Sequence, residues 1–406
     1  MPSNIISINS GSSSIKFSIF KTPEGNLPPF SAERIVSGEI EEIGTDFGEY
    51  RFQTEKGGES GRLNFKNHSA AFEFLLKKLR LNEKENAISV VVHRFVHGGS
   101  KFLKPVLITP KNILKLRSLS ELAPLHNPPN IKGLEILLKA IPSAKQACVF
   151  DTSFHGSIPS FARLYPLPLE YYKNYGILKY GFHGISYSYI AGLLDIGKIK
   201  GRKFIICHLG NGASICAIKD GASVDTSMGY TPLDGLMMGT RCGSIDPSIP
   251  FILHEKLKIP FGEIYKILNK KSGLYGISGK TYDFKELLSR KDKNSRLAIE
   301  MYIYSIIRYI GQYASVLNGI DGLIFTGGIG ENSDYLRSKV CSSLSYLDIK
   351  IDKEKNAKAA RHFQEFNNLG RLKMENSIKA IGSGKTPVLA VHTDEERQMV
   401  KEALNL

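Results

Sequence analysis

The sequence predicts an α/β protein assembled from two domains, each with a mixed sheet flanked by helices. Three observations predict it. One local pattern is built twice, as IISINSGSSSIKFSIF over Ile5–Phe20 and IICHLGNGASICAIKDG over Ile205–Gly221; Ile5, Ile6, Ser14 and Ile15 recur at Ile205, Ile206, Ser214 and Ile215 without a gap. After each copy, apolar runs of strand length alternate with segments of helical period. A chain of 406 residues also exceeds what one typical core holds.

Each copy reads as an Ile-rich strand, a turn of Gly, Ser and Asn, and a returning strand. Such turns permit positive φ and expose backbone N–H groups that can cradle phosphate oxygens. Either copy alone is equally well an ordinary hairpin. The pair points to a duplicated domain with a nucleotide bound between the halves.

Taken in order, strand-like segments follow at Ile35–Ile40 and Tyr50–Gln53. A helix runs over His68–Leu79, where Ala71, Phe72, Leu75, Leu76 and Leu79 share one face. Ile88–His93 and Ala147–Asp151 read as buried strands. Between them lie helices over Pro110–Leu119 and Asn130–Ala140, with prolines at their starts. The second half repeats this order. Its hairpin spans Lys203–Lys219 and leads into a long Gly- and Pro-rich loop, then helices at Ser248–Lys256, Phe261–Asn269 and Asn294–Asn318. A buried strand over Asp321–Phe325 runs into the glycine-rich Thr326–Asn332, and Ser333 caps a helix over Asp334–Leu344. The tail holds a strand at Pro387–Val391 and a helix over Asp394–Leu404.

Hydrophobic content of 42% and charged content of 23% fit a soluble globular protein. No apolar stretch reaches membrane-spanning length, and no secretory leader is visible. The five cysteines form no Cys-x-x-Cys pair, which suits a reducing cytoplasm. The net charge of +15 is spread along the chain; neither Lys173–Lys179 nor Lys198–Lys203 interleaves with stacking aromatics, so no specific nucleic-acid partner is expected. An anionic small substrate is compatible with this charge.

Several segments concentrate His, Arg, Asn, Asp and Gly where predicted strands end, the place α/β folds put ligands. Asn9–Phe17, His93–Gly99, Leu125–Asn130, Asp151–His155, Gly181–Gly184, His208–Gly212, Asp225–Pro232 and Thr326–Asn332, in this order, resemble the signatures of the acetokinase family over essentially the whole chain. The resemblance implies two ribonuclease-H-like, actin-like ATPase domains with the active site in the cleft between them. It divides the chain into 1–152, joined by 385–406, and 153–384. It also implies a homodimer and a reversible reaction of acetate with ATP that gives acetyl phosphate and ADP. Magnesium is the expected cation, with manganese able to substitute. Alternatives are a propionate kinase and, from a different class, a non-metabolic actin-like or chaperone-like ATPase, which would not need the arginines and histidine that follow.

Such chemistry must bring two anions together, so cations and oriented N–H donors carry it. By resemblance, Arg94 binds the acetate carboxylate and Arg241 the transferring phosphoryl, both using a permanently charged fork. His183 donates to the phosphoryl. Asp151 matches a residue described as proton acceptor or magnesium organiser; the electrostatic role is favoured because a carboxylate substrate is already ionised. Val96, Leu125, Phe182 and Pro232 match positions around the acetate methyl. Asn9 and Glu395 match magnesium-linked positions, and Lys16 can reach phosphate. The nucleotide side uses His208, Leu209, Gly210, Asn211 and Gly212, then Asp283, Phe284 and Lys285, and Gly328, Ile329, Gly330, Glu331 and Asn332.

Three positions depart from the family pattern. Arg-Ser-Gly-Asp-Ile-Asp-Pro reads Arg241-Cys242-Gly243-Ser244-Ile245-Asp246-Pro247, losing an acid at Ser244 near Arg241. Asp-x-Arg has Lys285 instead of arginine. Thr-Asn-Glu-Glu reads Thr393-Asp394-Glu395-Glu396, which adds a charge beside the magnesium-linked glutamate.

Overall fold

The computed structural model describes residues 3–22, 32–79, 88–123, 127–197, 199–369 and 376–406. The chain divides into two compact units: Met1–Phe154 with Gly184–Tyr189 and Asp394–Leu406, and His155–His183 with Ile190–Thr393.

The first unit is built on β1 (Ser3–Ser10), β2 (Ile15–Thr22), β3 (Glu33–Glu41), β4 (Gly48–Thr54), β5 (Gly57–Leu63), β6 (Ile88–Phe95), β7 (Val106–Leu107) and β8 (Lys145–Phe150), with helices α1 (His68–Lys78), α2 (Pro110–Ser118) and α3 (Asn127–Ala140). The strands lie in the order β5-β4-β3-β2-β1-β6-β8-β7. β1 runs antiparallel to β2 and parallel to β6, and β6 runs parallel to β8.

The second unit carries α4 (Ser160–Arg163), α5 (Leu169–Tyr175) and most of α6 (Gly184–Ile196). Next come β9 (Lys203–Leu209), β10 (Ala213–Lys219) and β11 (Ala222–Thr226). Helices α7 (Ile249–Leu257), α8 (Phe261–Lys270), α9 (Gly273–Ser278), α10 (Phe284–Ser289) and α11 (Lys293–Val316) precede β12 (Gly322–Thr326), α12 (Gly327–Asn332), α13 (Asp334–Ser342) and α14 (Lys353–Leu369). β13 (Ile378–Ala380) and β14 (Val388–Val391) close the sheet, and α15 (Glu395–Leu404) returns to the first unit.

The second sheet has the order β11-β10-β9-β12-β14-β13. This is the arrangement β3-β2-β1-β6-β8-β7 over again, down to an antiparallel edge strand that precedes its partner in sequence. The repeated hairpin is thus the first part of a repeated sheet topology, to which the first unit adds β4 and β5.

Strands β1 and β9 are apolar on both faces because helices cover both. In β1, alternation sends Ile6 and Ile8 to a core with Phe17, Phe72 and Leu75, while Ile5 packs with Phe20, Val92, Val149, Met399 and Val400 on the face covered by α15.

The structure adds elements that periodicity did not show. β5 contains three glycines and pairs with β4 through its backbone and an Arg62–Glu49 ion pair between register partners. The glycine-rich stretch after β12 is helix α12. Gly327 makes that junction possible: its φ is +79°, and a Cβ there would stand 2.8 Å from the Leu209 carbonyl oxygen. As expected, Ser333 caps α13, accepting from the Leu336 N–H at 3.2 Å.

Candidate active site

In the first unit the candidate residues continue one face of the sheet past its core. Ile5, Ser7 and Asn9 share the α15 face of β1; their register partners on β2 are Phe20, Ser18 and Lys16. On β6, Val92 is followed two residues later by Arg94, and on β8 Val149 is followed by Asp151. The same period that builds the apolar core therefore delivers Asn9, Lys16, Arg94 and Asp151 together at one end of the sheet.

Arg94 donates to Asp151 through one edge of its guanidinium, Nε to Oδ1 at 2.9 Å and Nη2 to Oδ2 at 2.6 Å. Its Nη1 stands 3.5 Å from Glu395 Oε2 at the start of α15. Burial opposes the guanidinium charge, but Asp151 and Glu395 outweigh it and hold the pKa above the usual arginine value. Asp151 is 2% exposed and is fixed by its backbone as well: its N–H donates to the Phe95 carbonyl at 3.0 Å, and its carbonyl accepts from the Gly184 N–H at 2.9 Å. Glu395 is partly buried, and desolvation together with nearby Asp151 raises its carboxyl against the pull of Arg94. Lys16 pairs with Glu39 at 3.2 Å and is half exposed; burial lowers its pKa, and Glu39, Glu396 and Glu41 more than reverse this. His93 faces the other side of β6, bound to Gln146 Oε1 at 2.8 Å, and burial lowers it to about 4. The brace of Arg94 is Asp151. Val96 follows β6, its N–H donating to Asn130 Oδ1 at 3.4 Å. Leu125 and the neighbouring His126 lie outside the described residues.

Asn9 and Glu395 are oxygen donors of the kind a hard divalent cation takes, and the raised Glu395 carboxyl marks negative charge that a cation would relieve. Among the described residues no group of three or more His, Cys, Asp or Glu side chains could hold an ion unaided. A cation there would take most of its ligands from phosphate and water.

In the second unit the β9–β10 tip is closed by Gly210 N–H to the Gly212 carbonyl at 3.1 Å. His208 and Ser214 are register partners beside it. His183 Nδ1 lies 2.8 Å from Ser214 Oγ, and its ring stacks on His208 with centroids 4.3 Å apart. A Cβ on Gly212 would lie 3.6 Å from both His183 Nε2 and Arg241 Nη1. The tip, His183 and Arg241 are therefore one cluster.

Arg241 reaches it from an irregular loop pinned by backbone bonds. Cys242 N–H donates to Leu268 carbonyl and Ser272 N–H to Thr240 carbonyl, both at 3.0 Å. The guanidinium touches the Pro232 carbonyl at 3.1 Å and Met238 Sδ at 3.7 Å, and among the described residues it forms no ion pair. Burial lowers its pKa accordingly. It is a largely buried cation without an anion. Phe182 is buried, with its carbonyl accepting from His155 Nε2 at 2.9 Å.

The three expected nucleotide segments meet around a cavity of about 700 Å³ in the second unit. Gly210, Asn211, Asp283, Phe284, Lys285, Gly328, Ile329 and Asn332 line it. Gly239 stands behind Asn211, where a Cβ would fall 1.9 Å from Asn211 Oδ1. Leu209, Gly330 and Glu331 are buried beneath the cavity. The Glu331 carboxylate turns inward, taking the Gly327 N–H at 2.9 Å, the Thr393 N–H at 3.2 Å and His392 Nδ1 at 2.7 Å. Its work there is structural.

Sequence reasoning did not find Leu288, Ser333, Asp334 and Gln364, which complete the lining. Ser333 and Asp334 had a signal, since they open α13 directly after the glycine-rich stretch. Leu288 and Gln364 had none. Arg337 was also missed. It is fully buried and donates to the Gly330 and Glu331 carbonyls at 2.7 and 2.6 Å, and Nε donates to Asn356 Oδ1 at 2.6 Å, so it ties α12 to α14.

Comparison with known proteins identifies the family. The profile of the acetokinase family matches residues 4–401. The chain belongs to the acetokinase family. It is 40% identical to an acetate kinase of Clostridium botulinum, with 98% of each chain covered. Among solved structures, a propionate kinase from Francisella tularensis superimposes with a TM-score of 0.88 at 36% identity, covering 100% of both chains. The acetate kinase of Porphyromonas gingivalis does so with a TM-score of 0.84 at 34% identity, covering 99% of both. The fold is that of actin-like ATPases, with two mixed sheets flanked by helices.

The departures from the acetokinase pattern have local explanations. Ser244 donates to Asp234 Oδ1 at 2.6 Å and lies 3.0 Å from the Tyr309 hydroxyl, so the loop carrying Arg241 has an acid nearby without one at 244. Lys285 sits on the cavity wall. Asp394 caps α15, accepting from the Arg397 N–H at 3.0 Å. No helix among the described residues is long and apolar enough to cross a membrane.

Proposed function

We propose that this chain catalyses reversible, magnesium-dependent transfer of the γ-phosphoryl group of ATP to acetate, giving acetyl phosphate and ADP by direct in-line displacement. The observation that carries this reading is the guanidinium of Arg241, without an ion pair among the described residues, beside a glycine hairpin tip and His183. A largely buried cation with no carboxylate partner among the described residues is poised to take a visiting anion, and a transferring phosphoryl group is such an anion.

The carboxylate oxygen of acetate forms a bond to the γ-phosphorus as the bond to the bridging oxygen of ADP breaks. Arg94 orients the acetate. Asp151 occupies its Nε/Nη2 edge, so a substrate carboxylate would be met by Nη1, which stands 3.5 Å from Glu395. Asp151 acts by holding that fork, since no proton has to be removed from acetate. The β9–β10 tip, Lys16, His183 and Arg241 hold phosphate oxygens, and the cavity lined by Asp283 to Lys285 and Gly328 to Asn332 takes the nucleoside. Magnesium, or manganese in its place, would be held by Asn9 and Glu395 and would offset phosphate charge. Val96, Leu125, Phe182 and Pro232 surround the methyl group.

The likeness to a propionate kinase at 36% identity favours a second reading, in which propionate is used as well. One methylene contributes about 1–3 kcal/mol of discrimination. A hydroxamate assay for acyl phosphate, with acetate, propionate and butyrate side by side, tests both. Acetate with the highest kcat/KM supports the first reading; propionate ahead of acetate replaces it; no acyl phosphate from any of them removes both. The same reading makes the protein a cytoplasmic homodimer, which light scattering of the eluted protein would check.

A further inference from the structure

The first turn of α15 is held by a cluster that the phosphoryl-transfer reading does not use. Asp394 accepts the N–H of Arg397 as helix cap, pairs with Arg397 Nε at 3.2 Å through its second oxygen, and takes a close ion pair from Arg34 Nη2 on β3. Arg34 also stands 3.8 Å from Glu396, and Arg397 Nη1 donates to the Ala32 carbonyl at 2.5 Å. Both guanidinium carbons lie over the Phe20 ring, at 5.1 and 5.5 Å. Phe20 itself is fully buried, on the face of β2 that also carries Lys16.

We infer that Asp394, clamped by Arg34 and Arg397 over Phe20, is a positioning residue that fixes Glu395 for the divalent cation. This rests on the proposed function above. Glu395 is the residue next to the cap, so the direction of its side chain follows the orientation of the first turn. That turn is tied to three neighbours at once: β3 through Arg34, the chain at Ala32 through Arg397, and β2 through Phe20. On its other side Glu395 stands 3.5 Å from Arg94. The acid at 394, where the family pattern has asparagine, thus adds no free charge beside the cation site. Its charge is matched by two guanidinium groups buried with it. Loss of that acid leaves both cations without their principal anion, and the turn that carries Glu395 must shift to rehydrate them.

The test is Asp394→Asn, which keeps a cap acceptor, with Arg34→Gln as the independent partner change and the double variant to close the cycle. Free Mn²⁺ is followed by electron paramagnetic resonance with ADP present and no turnover, alongside thermal unfolding. Each single change is expected to weaken Mn²⁺ binding about tenfold, and the double change to be no worse than either single one. Binding equal to the unaltered protein in both single variants overturns the inference, even if their unfolding temperatures fall, since that pattern describes a purely structural clamp. Additive losses in the double variant overturn it too. If the unaltered protein makes no acyl phosphate, the functional reading fails; if it does and the variants bind Mn²⁺ as it does, only this inference fails.

Discussion

Arg241→Ala separates function from folding in this protein. The side chain is largely buried, yet its polar contacts are one carbonyl, Pro232 at 3.1 Å, and one thioether, Met238 at 3.7 Å. No carboxylate is left behind when it goes. The folded state loses two weak contacts and also a desolvated charge, terms of opposite sign and each about 1–2 kcal/mol. Stability should therefore move little. Turnover should fall by roughly 10³-fold or more, about 4 kcal/mol of transition-state stabilisation, as for other charge-stabilising arginines in phosphoryl transfer. The assay is steady-state ADP formation with acetate and Mg-ATP, run beside calorimetric unfolding. Turnover within tenfold of the unaltered enzyme would refute the phosphoryl role. A large fall in unfolding temperature would refute the claim that this cation is unpaired.

Arg94→Ala should behave differently, since it strands the buried Asp151 carboxylate. Activity falls, and stability falls with it by about 3–5 kcal/mol, seen as a drop in denaturant midpoint that Arg241→Ala does not show. Gly239→Ala should raise the KM for nucleotide more than the KM for acetate, because its Cβ would fall 1.9 Å from Asn211 Oδ1 on the cavity wall; equal changes in the two constants would count against the cavity as the nucleotide site. His93 and His155 are each lowered to about 4, chiefly by burial, from an ordinary 6.5. The folded state thus binds fewer protons than the unfolded chain between these values, so stability is full above pH 6.5 and declines as pH falls toward 4. Unfolding midpoints measured across that range should fall, and His93→Gln should lessen the slope.

The strands and long helices were legible wherever a period was long and unmixed. Ile5 to Phe20 and Ile205 to Lys219 show their apolar runs plainly, and α11 shows a stripe over many turns. β5 was hidden because its glycines carry no side-chain pattern, and α12 because glycine argues against helix on propensity alone. There, the Arg337 fork supplies from the following helix, and the Glu331 carboxylate from within α12 itself, what glycine propensity lacks. The site was legible as motifs, since each places several unusual residue types at a strand end. Two things were not. Glu331 belongs to such a motif yet faces inward, and Arg34, Arg337 and Gln364 stand in no motif at all.

By itself the sequence determined the duplicated hairpin, the alternation that makes each sheet, and the residue types gathered at the strand ends. These are local, because side-chain direction along a strand follows from the period of the backbone. Tertiary structure decided which charges are answered and which are left open. Arg94 receives Asp151 from a strand that lies beside it only in space, and Asp394 receives Arg34 from far along the chain. Arg241 receives no acid among the described residues. Ionic partnership depends on distance and on exclusion of water, and both arise only once the chain has packed.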